Sequence, residues 1–140
     1  MRATWEQHSE GHRAAVELAA VEAAALADAL TFYLRRRFVG GELELAAHAL
    51  SLRYFTEFSD RLGALRAAGV GGRLLLSDND LRRLREAVCF YLAERDTESY
   101  QPPEERDRLA ELHEINEPLG DLLTALPKEP AVPATLSLLR

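Results

Sequence analysis

Four histidines, one cysteine and a run of three arginines are the residues of this 140-residue chain whose types and spacing suggest chemistry. His8 and His12 stand four apart, which on a helix puts two imidazoles on one face and offers a metal ion two of its ligands. His113 and Glu117 have the same separation within an acidic segment. Two ligands do not make a site, and no histidine has the glutamate three residues earlier that a carboxylate-bridged di-iron bundle uses. Neither a metal nor a cofactor is therefore expected, and His8, His12, His113 and Glu117 are the residues that would contradict this. Arg35-Arg36-Arg37 have two readings. They complement the dipole at a helix C-terminus, or they form a small anion-binding patch that could touch nucleic acid. Cys89, between Val88 and Phe90, reads as a small buried hydrophobe, and a single cysteine excludes an intramolecular disulfide.

His48 carries the sharpest enzymatic idea. In Ala47-His48-Ala49-Leu50 it resembles the phosphoacceptor of histidine phosphotransfer domains, four-helix bundles of similar size. The resemblance implies a phosphorylated, exposed His48 on the second helix. Just after this motif, where that family carries a lysine and a glycine, the chain has Ser51 and Leu52, so a phosphoryl group would lack its charge partner. His48 is accordingly assigned to a packing or interface contact, with phosphoryl relay as the alternative. No G-x-S-x-G elbow, phosphate loop or close Cys-His pair occurs.

Helices are the elements expected to position these residues. Thr4-Trp5-Glu6-Gln7 has the form of a capping box, and Trp5, His8, His12, Val16, Ala19, Ala23, Leu26 and Leu30 continue at three-or-four spacing towards Phe38. A continuous first helix would exceed thirty residues, with Gly11 its weakest point at a cost of roughly 1 kcal/mol. Its overhang, carrying Trp5, would need another surface. Glu42–Arg66 reads as a second helix with two apolar stripes, the surplus falling on Leu45, Leu52 and Phe55. Arg73–Leu76 is too short to classify. Ser77 and Asp80 form a second capping box opening helix three, and Pro103 suits the first turn of helix four, where Pro118 either kinks the helix or starts another.

An internal echo organises the four. Leu26–Arg37 parallels Leu84–Arg95, sharing Phe-Tyr-Leu and a closing arginine, and Leu52, Phe55, Leu62 and Leu65 are echoed by Leu109, Leu112, Leu119 and Leu122. The expected fold is an all-α four-helix bundle of two pseudo-repeated helical hairpins. Residues 1–126 would form this domain, with hairpins at about 4–68 and 77–126, and residues 127–140 a proline-rich tail.

Composition bounds the function. Hydrophobic residues at 47% and charged residues at 29% suit one globular domain, and no apolar run is long enough to cross a bilayer. The N-terminal residues lack the pattern of a signal peptide, so a cytoplasmic protein is expected. Charges balance as far as Leu76, and the excess behind the net charge of −6 follows it, which argues against general nucleic-acid binding. The function read from this is a non-catalytic protein-interaction or regulatory module. It would be a homodimer through helix two and the N-terminal helix, using Trp5, Leu45, His48, Leu52 and Phe55, and would hold an unidentified protein partner and no membrane. Phosphoryl relay through His48 and nucleic-acid association through Arg35, Arg36 and Arg37 are the alternatives.

Overall fold

Gly11 decides the first element. Its φ of 115° lies in the left-handed region that favours glycine, and it ends a turn through Ser9 and Glu10 that sends the chain back on itself. The result is a hairpin of β1 (Arg2–His8) and β2 (Gly11–Leu18), antiparallel, with Trp5 opposite Ala14 and Ala3 opposite Val16. A third strand, β3 (Gly72–Leu76), pairs antiparallel with the other edge of β2, giving the order β1-β2-β3. The computed structural model describes residues 1–37, 49–96 and 100–127. Within them lie four helices: α1 (Ala20–Arg37), α2 (Ala49–Ala68), α3 (Asp78–Arg95) and α4 (Pro103–Thr124).

The protein is thus a mixed α/β fold and not an all-α four-helix bundle, which corrects the expectation from sequence. Residues 4–18, assigned to the first helix of the first hairpin, are strand. Trp5, His8, His12 and Val16 fit helical spacing, but Ala3 and Trp5, then Ala14, Val16 and Leu18, also alternate with a period of two. Over so short a stretch the two periods share too many positions to be told apart. Gly11, a cost to a helix, is what the turn requires. The long helix with its overhang does not exist, and Trp5 instead packs on its own chain, its indole Nε1 donating to the Leu122 carbonyl of α4 at 3.1 Å.

Alternation gives the sheet one dry face. Ala14, Val16, Leu18, Leu74 and Leu76 are buried there beneath the helices, with α1 against β2, α3 against β3 and α4 against β1. The opposite face carries Arg2–Glu17 and Arg73–Glu6 ion pairs at 3.2 and 2.7 Å. The Arg73 hydrogen bond, helped by His8, holds the Glu6 carboxyl below its usual range. The helix ends follow local chemistry. Ser77 caps α3, its hydroxyl accepting from Asp80 N and its own N–H donating to the Asp80 carboxylate. Pro103 lies in the first turn of α4, and that helix continues unbroken through Pro118 to Thr124.

The echo in the sequence has a structural counterpart that includes the strands. The offset that carries Val16 onto Leu74 also carries Leu18 onto Leu76, Leu26 onto Leu84, Tyr33 onto Tyr91 and Phe32 onto Phe90. Val16 pairs with Leu74, its own equivalent, and the pairs on either side, Ala14–Leu76 and Leu18–Gly72, exchange under the same offset. In the helices Phe32 meets Phe90 at 5.9 Å between ring centroids, while the equivalent contacts Phe32–Tyr91 and Tyr33–Phe90 lie at 5.0 and 5.5 Å. Glu22 accepts from Ala19 N at 2.7 Å as Asp80 does from Ser77 N at 2.9 Å. Two strand-helix-helix units, β2-α1-α2 and β3-α3-α4, are therefore related by an approximate twofold between β2 and β3, with β1 added at one edge.

Candidate functional site

The most concentrated polar chemistry of the described residues lies where α1, α3 and α4 meet, beside the Phe32–Tyr91 contact. Glu105, in the first turn of α4, is 6% exposed, and its carboxylate receives the Tyr91 hydroxyl from α3. Arg108, one turn along α4, donates through Nη1 to Glu105 at 2.7 Å and to the Tyr91 oxygen at 3.3 Å. Its Nε donates to Asp28 of α1 at 3.0 Å. Asp28 also receives Arg66 of α2, so one carboxylate holds arginines from two other helices. Arg95, at the end of α3, stands 3.5 Å from Glu105 and lies over the Phe32 ring, with Arg36 over the same ring at 5.1 Å.

Burial places Tyr91 above the ordinary tyrosine pKa, and its bond to Glu105 adds to the rise, since ionising it would set two anions side by side. Burial opposes the Arg108 charge, yet the Tyr91 oxygen and the Asp28 and Glu105 carboxylates outweigh it and raise its pKa. Tyr91 is therefore a protonated phenol beside the Arg108 cation. The cluster borders an open cleft of about 260 Å³ whose wall includes Arg35, Arg95 and Arg108. A neighbouring cleft of about 370 Å³ shares Asp28 and Arg108 but is acidic, with Glu104, Asp107 and Glu111 along α4. Burial, then Glu114 and Glu22, raises the Glu111 pKa.

The residues singled out from sequence are scattered. His8 lies on β1, 3.1 Å from Glu6, and His12 lies on β2 opposite Gln7, so alternation sends their side chains to opposite faces of the sheet. His113 is exposed on α4 and bonds Asp96 at 2.7 Å, while Glu117 is exposed one turn further on. Among the described residues no three His, Cys, Asp or Glu side chains stand where they could share a metal ion. Cys89 is exposed on α3, its thiol 3.6 Å from the Asn116 side chain, which corrects the buried placement read from its neighbours. Leu45 and His48 lie outside the described residues. Leu52 and Phe55 belong to α2 and Arg37 ends α1, but the side chains of these three lie outside what the structure describes. Arg35 and Arg36 are exposed at the end of α1.

Asp28, Tyr91, Glu105 and Arg108 were not singled out from sequence as a site. Signals for them exist. Asp28 interrupts the apolar Leu26-Ala27-Asp28-Ala29-Leu30, Glu105 and Arg108 have helical i,i+3 spacing, and Tyr91 belongs to the repeated Phe-Tyr-Leu. No protein-family model matches this chain, and no curated protein or solved structure shows a significant similarity to it. Among the described residues no helix is long and apolar enough to cross a membrane.

Proposed function

We propose that the protein is a non-catalytic interaction or regulatory module that associates through α2, with a second copy of the chain as the first partner. The asymmetry between equivalent helices carries this reading. α4 packs against α3, α1 and β1, whereas α2, its counterpart, packs extensively among the described elements against α1 alone. Phe58 and Leu62 bury this helix in the core, 5% and 0% exposed, and Arg66 fastens it to Asp28 of α1. The sequence places the surplus apolar residues Leu52 and Phe55 on this helix. A self-complementary contact across a twofold would cover both copies of α2 at once.

Trp5 does not belong to the proposed interface, because its indole is occupied by α4. The resemblance behind phosphoryl relay through His48 is to four-helix bundles, an architecture the mixed α/β fold does not share, so that alternative loses its support. Sedimentation equilibrium of the full chain tests the association. At about 10 μM the weight-average mass should approach twice that of the monomer and fall on dilution through the micromolar range, corresponding to roughly −8 kcal/mol of association. A mass that stays monomeric up to about 100 μM removes the proposal.

A further inference from the structure

We infer that the cleft between the ends of α1 and α3 and the start of α4 binds a phosphate group, held by the guanidinium groups of Arg35, Arg95 and Arg108. Charge is the first observation. Three arginines, Arg35, Arg95 and Arg108, line the cleft beside two carboxylates, Asp28 and Glu105, leaving a positive excess that suits an anion. Donor supply is the second. Arg108 uses Nε and Nη1 on Asp28, Glu105 and Tyr91, which fixes its plane while its Nη2 makes no hydrogen bond among the described residues. Arg95 stands 3.5 Å from Glu105 through Nη2 and donates no side-chain hydrogen bond among the described residues. Arg35, exposed at the rim, makes no ion pair among the described residues.

Size and selectivity follow. A cleft of about 260 Å³ accommodates a phosphate with a small attached group and is too small for a larger ligand to bury fully. A tetrahedral dianion offers more acceptors than a carboxylate to guanidinium forks coming from three helices. Asp28 and Glu105 act as positioning residues, since they hold Arg108 and Arg95 in place before the anion arrives. Neither the cleft nor its ligand depends on subunit association, because its lining residues all come from α1, α3 and α4 of one chain.

Titration calorimetry of the full chain at low salt, with inorganic phosphate in one arm and phenyl phosphate in the other, tests the site. Saturable binding at one site per chain is expected, weakened about tenfold by Arg35→Ala, the loss of one charge-assisted bond. Arg35 is exposed, so this variant should keep the native circular dichroism. Arg82→Ala, on an exposed part of α3, should leave the affinity unchanged. The tighter of the two probes identifies the source as free phosphate or a monoester. Absence of binding to both at about 20 mM, or equal weakening by Arg35→Ala and Arg82→Ala, overturns the assignment.

Discussion

Glu105 shows how one residue can organise a region. A carboxylate at 6% exposure is stable only because Tyr91 and Arg108 bond it and Arg95 stands nearby. Arg108→Ala should therefore lower unfolding stability by about 3 kcal/mol, because it strips a partner from both Glu105 and Asp28 at once. Urea denaturation followed by circular dichroism measures this, and a loss no greater than for the exposed Arg2→Ala would contradict it. Tyr91→Phe removes one donor and should cost about 1 to 2 kcal/mol at neutral pH. The Tyr91 pKa is raised in the fold, so its contribution is fully present below the unfolded tyrosine value of about 10 and is lost as pH rises through the folded value. The stability gap between the native chain and Tyr91→Phe should accordingly narrow above about pH 10.

At the scale of the elements, glycines mark where backbone and packing set the outcome. Gly71 lies against the end of β2, where a Cβ would meet the Leu18 carbonyl oxygen at 2.3 Å. Gly71→Ala should cost about 2 kcal/mol or more, since backbone and not a flexible side chain must give way. Gly63, inside α2, has open space where a methyl group would stand, with nothing within 4 Å. Gly63→Ala should raise stability by about 0.5 to 1 kcal/mol through helix propensity. Thermal denaturation separates the two signs. Elements with long single-period runs were legible in the sequence: α1 from Ala23 onward, α3 with its Ser77–Asp80 capping box, and α4 beginning at Pro103. The strands were not. Trp5 to Val16 satisfies both periods, and Arg73–Leu76 is only as long as a strand needs to be, so neither stretch reveals itself without the strands it pairs with. The repeat was legible for a different reason, because equivalent helices bury the same positions, Leu26 with Leu84 and Tyr33 with Tyr91. Its meaning was not, since nothing local in the sequence shows that Phe32 and Phe90 meet across a twofold. The candidate site was invisible as a whole because Asp28, Tyr91, Glu105 and Arg108 come together only through tertiary packing.

For the whole molecule, the sheet and the near-twofold explain an imbalance between its two halves. β1 and α4 close one side through Trp5, while α2, the counterpart of α4, packs extensively among the described elements against α1 alone. On the proposed reading, α2 makes further contacts with a second chain. Amide hydrogen exchange as a function of protein concentration tests this most directly. Diluting from about 50 μM to about 0.5 μM should selectively accelerate exchange across Ala49–Ala68, leaving α1 and α3 unchanged, because only a helix at the interface loses protection on dissociation. Exchange in α2 that is independent of concentration, or dilution effects confined to other elements, would contradict association through this helix.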